Sequence, residues 1–362
     1  METQVKAKVH NFSAGPCILP PEVLKKASES VLELDNHGLS LIEMSHRSKP
    51  FVEIMEKARN LVRELLNVPD NYSVLFLQGG ASLGFYISAI NFMKNVGGKA
   101  AYTDTGTWST GAIKEAQLLG EVVVVGSGKE NNFTKIPKGY TIPTDADYFH
   151  ITSNNTIRGT QVKEFPQCPI PMLSDMSSDI FSRKINVADF DLIYAGAQKN
   201  MGPAGTTLYI VNKDKLGKTG RQIPSMLDLL KQDDKESMYN TPPVFAVYGA
   251  MLTLEWMKSQ GGIPEMEKRN EAKAKLLYDE IDRNPLFKGT TAVEDRSFMN
   301  PTFVLTDESH TERFDKMWKA AGVSGINGHR SVGGYRASMY NALPIESVQV
   351  LVDVMKELET NA

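Results

Sequence analysis

Short apolar runs recur through the first two thirds of the chain, each bounded by polar or glycine-rich residues. They are VLFL (74–77), AAY (100–102), EVVVV (121–125), DYFHI (147–151), PMLSD (171–175), DLIYA (191–195) and TTLYIV (206–211). Their length and their β-branched and aromatic content predict strands. Helix-like stretches lie between some of them, FYISAINFMKNV (85–96) and TGAIKEAQLLG (110–120), with Ser109 placed to cap the second. Strands alternating with helices predict an α/β fold with a mainly parallel sheet, whose ligand site lies at the C-terminal ends of the strands. One connection differs. Gly196 to Gly205 is too short for a helical crossover, so TTLYIV is predicted to run antiparallel to DLIYA.

Beyond about residue 258 the pattern changes. KRNEAKAKLLYDEIDRN reads as a long charged helix, PTFVLT (301–306) as a strand, ERFDKMWKAAG as a helix and YRASMYNA as another strand. The closing LPIESVQVLVDVMKELE has Pro344 at its start and Val348, Leu351, Val352, Met355 and Leu358 at helical spacing. The expected division is a large domain over 15–257 and a smaller α+β domain over 258–362, which the N-terminal segment 1–14 joins.

Composition narrows the function classes. A chain of 362 residues is longer than one core normally serves, and its formal charge of −3 gives no electrostatic case for nucleic acid or an anionic membrane. Two cysteines, Cys17 and Cys168, cannot build a disulfide framework and favour a reducing compartment. No apolar stretch approaches a membrane span, and METQVKAKVHNFSAGP lacks the apolar region of a signal peptide, so a cytoplasmic protein is expected. The six histidines show no paired metal-ligand spacing, and no metal site is expected. GSGKEN (126–131) and LGKTG (216–220) are poor nucleotide-binding loops: the first lacks a third glycine, the second has Asn212 at the first glycine position.

Candidate chemistry gathers at the predicted strand ends. In AGAQKNMGPAG (195–205) Lys199 stands among small residues just after a strand, the setting of a Schiff-base lysine rather than of a solvated one. Asp175 ends PMLSD, where a carboxylate keeps a pyridine nitrogen protonated or, more plainly, caps a helix. QGGAS (78–82) offers small residues and a helix N-terminus to a phosphate. Trp108 in TDTGTWS suits stacking on a planar ring or filling a core, and Thr156 in TSNNTIRG suits a ring oxygen or a turn. Each signal is weak alone. Together they supply partners for the phosphate, face, nitrogen, oxygen and aldehyde of pyridoxal 5'-phosphate. His46 and Arg47 in EMSHRSK, with His329, Arg330 and Arg336 in NGHRSVGGYRAS, add guanidinium forks that fit carboxylates or a phosphate.

These stretches, with NFSAGPCILP and YNTPPVFAVY, resemble the phosphoserine aminotransferases, class V, fold-type I pyridoxal-phosphate enzymes, over residues 11–342. SHRS and GHRSVGGYRAS are the most specific of them. The resemblance implies a mainly parallel seven-stranded sheet flanked by helices, a smaller C-terminal domain, and a homodimer with composite sites. It also implies reversible amino transfer from L-glutamate to 3-phosphohydroxypyruvate in serine biosynthesis, giving O-phospho-L-serine and 2-oxoglutarate. Some relatives accept a second substrate, 4-phosphohydroxythreonine, in pyridoxal-phosphate synthesis. By the same resemblance Lys199 bonds the cofactor, Asp175 holds its ring nitrogen, and Trp108 stacks on the ring. Thr156 and Gln198 contact the ring's periphery, Ala81 and Ser82 its phosphate, and Asn240 and Thr241 the phosphate of the other subunit. Arg336 holds the substrate α-carboxylate, with His46, Arg47, His329 and Arg330 around the distal acid. Some bacterial members carry an arginine where this chain has Ser82, which places more of the distal charge on Arg47 and Arg330. A cysteine desulfurase or lyase is the rival within the cofactor class, and it needs a mobile cysteine that neither Cys17 nor Cys168 provides.

Overall fold

All seven apolar runs become strands of one central sheet in the computed structural model, which describes residues 9–361. In chain order they are β1 (Tyr72–Leu77), β2 (Lys99–Asp104), β3 (Glu121–Ser127), β4 (Tyr148–Thr152), β5 (Met172–Asp175), β6 (Leu192–Gly196) and β7 (Thr207–Asn212). The spatial order is β1-β7-β6-β5-β4-β2-β3. β7 is antiparallel to both β1 and β6, and the remaining pairs are parallel. The short Gly196–Gly205 connection is the physical reason, since only an antiparallel return spans so few residues.

The sheet is a middle layer, and its alternation shows this. Val74 and Phe76 of β1 pack into one core with the helices Lys49–Leu66 and Val244–Ser259, while Leu75 and Leu77 pack into another with Gly80–Phe92 and Thr107–Gln117. Period-two alternation therefore feeds both faces, and β1, β4, β5 and β6 are buried at every position. β-branched and aromatic side chains fit such a doubly covered surface.

A third core forms from the C-terminal third together with Phe12 and Ile18. His10–Asn11 pairs in parallel with Val323–Ser324, so the early chain is stitched to this region; residues 1–8 of the expected joining segment lie outside the described residues. The helix Gly262–Arg283 bridges the cores: Ile263 and Met266 belong to the first, Ala274, Leu277 and Ile281 to the third. The closing helix, Ile345–Thr360, buries all five of the spaced apolar residues, each stabilising by about 1.5–3 kcal/mol.

Three local readings need correction. The helix after β1 begins at Gly80, not near Phe85, because the Gly79–Gly80 turn launches it directly from the strand. Ser109 is not an N-cap: the helix starts at Thr107, and Ser109 Oγ reaches back from its first turn to the backbone N–H groups of Thr105 (2.8 Å) and Gly106 (2.9 Å). YRASMYNA is strand only at Tyr335–Arg336, although Ala337 and Met339 still donate to the carbonyls of Pro301 and Met299. No helix among the described residues is long and apolar enough to cross a membrane.

Candidate active site

Five strands deliver their C-terminal ends to one edge of the sheet. β1 leads into Gly79–Gly80, β2 into the turn before Trp108, β4 into a small hairpin (Asn154–Asn155 with Thr160–Gln161), β5 ends at Asp175, and β6 runs into Gln198–Lys199. Parallel pairing sets this alignment: Thr152 sits opposite Asp175, and Asp175 opposite Tyr194. A cavity of about 180 Å³ opens there, lined by Ala81, Ser82, Trp108, Asp175, Gln198 and Lys199 among others.

Lys199 Nζ donates to Thr156 Oγ1 at 2.7 Å and stands 5.6 Å from the centre of the Trp108 ring. Burial lowers the lysine to about 8; the Asp175 charge opposes that shift and the Arg336 charge adds to it. An amine held this way is partly neutral, hence nucleophilic, near physiological pH. Asp175 Oδ1 accepts from the Ser177 backbone N–H (2.9 Å) and from Ser177 Oγ (2.6 Å). Burial pushes its carboxyl up, while the Ser177 bonds and the Lys199 charge pull it back. Both bonds fall on one oxygen, so the other has no donor among the described residues and can face a protonated ring nitrogen.

The cavity's far wall is the start of the helix Gly80–Phe92, whose first-turn N–H groups have no partner within the helix. Gly79 has φ 103°, and a Cβ there would lie 2.4 Å from Leu83 Cδ2, so the turn tolerates only glycine. Gly196 lines the cavity opposite Ala81, where a Cβ on it would reach to 3.7 Å from Ala81 N. Trp108 Nε1 is buried without a partner. A flat wall, a free carboxylate oxygen, a row of amides and a partly neutral lysine fit pyridoxal 5'-phosphate.

The expected substrate residues are placed less uniformly. Arg336 Nη1 donates to the Thr156 carbonyl at 3.3 Å, which links Lys199, Thr156 and Arg336 in one chain of contacts. Burial, followed by the charges of Arg336, Arg330 and Arg158, lowers the basicity of His329. His46 is half-buried with Nε2 unpartnered, and Arg47 is exposed; neither lines the Lys199 cavity. Asn240 and Thr241 also lie outside it. Asn240 Nδ2 donates to Gln78 Oε1 (3.1 Å), Gln78 Nε2 donates to the Thr241 carbonyl (2.8 Å), and the following helix starts after Pro243, so neither residue caps it.

One residue escaped the sequence reading. Ser177 sits in SDMSSD, where its neighbours Asp175 and Ser178 look equally like caps.

Comparison with known proteins agrees with this geometry. The Aminotransferase class-V model matches residues 9–351. A phosphoserine aminotransferase of Flavobacterium johnsoniae is 65% identical over 98% of this chain and 99% of its own length. Among solved structures, the phosphoserine aminotransferase of Bacillus circulans subsp. alkalophilus is 41% identical at a TM-score of 0.95, covering 98% of this chain and 99% of that one. The pyridoxal-phosphate-bound phosphoserine aminotransferase of Trichomonas vaginalis is 37% identical at a TM-score of 0.92, covering 96% and 100%. The chain belongs to the class V aminotransferase family, and its fold is that of the fold-type I pyridoxal-phosphate aminotransferases.

Proposed function

We propose that this chain is a pyridoxal-phosphate aminotransferase that moves an amino group reversibly between L-glutamate and 3-phosphohydroxypyruvate, forming O-phospho-L-serine and 2-oxoglutarate. The observation that carries the reading is the Lys199–Thr156–Arg336 chain of contacts beside the free oxygen of Asp175. Lys199 and Asp175 line one cavity and Arg336 is linked to Lys199 through Thr156, which supports reading them as the amine, the ring-nitrogen partner and the carboxylate-binding arginine. The 65% identity to a named phosphoserine aminotransferase supports the choice of substrates.

When bound, the cofactor supplies an electrophilic aldehyde and an electron sink for charge developing at the substrate Cα. Lys199 would bond it, Asp175 and Trp108 would hold its ring nitrogen and face, and Thr156 and Gln198 its periphery. Ala81 and Ser82 would hold its phosphate. Lys199 Nζ takes the proton from the substrate Cα, and Thr156 Oγ1 keeps that nitrogen aimed. Arg336 orients the substrate through its α-carboxylate, so the Cα–H faces Lys199. His46, Arg47, His329 and Arg330 surround the distal acid, which glutamate and phosphoserine both carry.

The working form is a cytoplasmic homodimer in which Asn240 and Thr241 reach the cofactor phosphate of the partner subunit. Their position beside Gln78, at the rim of the Gly79–Gly80 turn, supports this. A division near 257/258 is supported by the third core, drawn mainly from residues beyond 273, although Ile263 and Met266 still pack into the first. Purified protein should show a visible absorption band that changes on adding glutamate and returns on adding 3-phosphohydroxypyruvate. A band unmoved by glutamate, or no phosphoserine formed, would end this reading.

A further inference from the structure

Asp175 needs more than its own rotamer to present an oxygen to a cofactor. The last torsion of an aspartate side chain is broad and roughly two-fold, so the backbone and Cβ leave the direction of its two oxygens open. One residue removes that freedom. Among the described residues both donors to the carboxylate come from Ser177: its backbone N–H (2.9 Å) and its hydroxyl (2.6 Å) meet the same Oδ1.

The hydroxyl is itself held. Ser177 Oγ accepts from the Gly196 N–H at 3.1 Å. A backbone N–H only donates and an ionised carboxylate only accepts, so the single hydroxyl proton has to point at Asp175. Strand geometry explains why Gly196 is available. β5 ends at Asp175 opposite Tyr194 of β6, and the Met176 N–H still donates to the Tyr194 carbonyl at 2.9 Å. The next residue along, Ser177, meets β6 through its side chain instead of its main chain. β6 ends at Gly196, just before the Gln198–Lys199 turn. One hydroxyl thus joins the strand that carries the carboxylate to the strand that leads to the amine. Ser177, Asp175 and Gly196 are all buried and all line the Lys199 cavity. A hydrogen bond to a charged acceptor shielded from water is among the stronger ones a protein makes.

We infer that Ser177 is a positioning residue: its hydroxyl, aimed by Gly196, turns and holds the Asp175 carboxylate so that the second oxygen meets the cofactor's ring nitrogen. The inference rests on the proposed function and deepens it, by naming what sets the direction of the ring-nitrogen partner. Without the hydroxyl the Ser177 N–H bond remains, but a single donor lets the carboxylate swing.

The full chain, stripped of cofactor, would be titrated with pyridoxal 5'-phosphate and followed by the visible band. Wild type, Ser177→Ala, Asp175→Asn and the double variant would be compared. Ser177→Ala should weaken cofactor affinity about tenfold with Asp175 present, as for one lost charge-assisted hydrogen bond, and less than about threefold in the Asp175→Asn background. The reloaded Ser177→Ala enzyme should convert glutamate about tenfold more slowly at saturation, with half-saturating glutamate within about twofold of wild type. The Gly196 N–H loses its acceptor in both backgrounds, so a merely structural role predicts equal losses. Equal losses, no loss beside Asp175, or a defect confined to half-saturating glutamate would overturn the inference. Should Ser177→Ala fail to fold, Ser177→Cys keeps the side chain's length with a weaker donor, and the same comparison decides. The cofactor titration uses no amino acid, so its result stands whether or not the enzyme forms phosphoserine.

Discussion

Lys199 and Lys273 are both lysines shielded from bulk solvent, and they show what makes one chemical and the other structural. Burial lowers Lys199 to about 8 and Lys273 to about 7, the latter helped by the nearby Arg269 charge. A depressed pKa therefore does not distinguish them. Their partners do. Lys273 Nζ donates to the carbonyls of Met339 (2.9 Å) and Tyr340 (2.7 Å) and makes no ion pair among the described residues. A neutral amine has two N–H bonds, and both are used. Lys199 gives one hydrogen bond to a hydroxyl, feels Asp175 and borders a cavity. The reactive amine is the one with room left for another molecule.

The largest expected difference follows from truncating each. Lys199→Ala should lower turnover at least about ten-thousandfold while the protein stays folded, since it removes both a nucleophile and a proton carrier. Turnover within tenfold of wild type would mean that another amine can do its work.

Next in size is Asp175→Asn, which keeps shape but removes the charge proposed to face the ring nitrogen. Each pKa unit lost there is worth about 1.4 kcal/mol, so single-turnover rates should fall about a hundredfold or more, with weaker cofactor binding. Unchanged rates would sever the carboxylate from the chemistry.

Smallest in activity is Lys273→Met. Two main-chain carbonyls lose their donor, which should cost about 1–3 kcal/mol in denaturant unfolding, with turnover per folded molecule within about twofold. The pH dependence sharpens the contrast. Lys273 titrates near 7 when folded and near 10.5 when unfolded, so between those values the unfolded chain binds more protons. Stability from this group must then rise with pH across that window and level off below it, where both states are protonated. The rise should be shallower in Lys273→Met, and an identical slope would mean that the buried amine does not titrate as its surroundings require.

The same comparison explains what could be read from the chain alone. Strand ends were legible because apolar runs stop abruptly at Asp175 and at Ala195, and the chemistry follows each stop. The short return to β7 was legible from its length. Lys273 was not, because KRNEAKAKLLYDEIDRN alternates charges as a solvated helix does, and only its wedging between two cores buries that side. Ser177 was hidden by its neighbours, since SDMSSD offers several hydroxyls and only the fold shows which one meets Asp175. The Arg47 and Asn240 stretches were recognisable as motifs, yet they do not line the Lys199 cavity, because neither loop runs on from the strand ends that form it.

Reductive trapping puts the contrast between the two lysines to its most direct test. Holoenzyme would be treated with borohydride, digested, and the peptide carrying the reduced cofactor identified by mass. The label should fall on Lys199 alone, with Lys273 unmodified. A label on Lys273 or any other lysine would contradict the account.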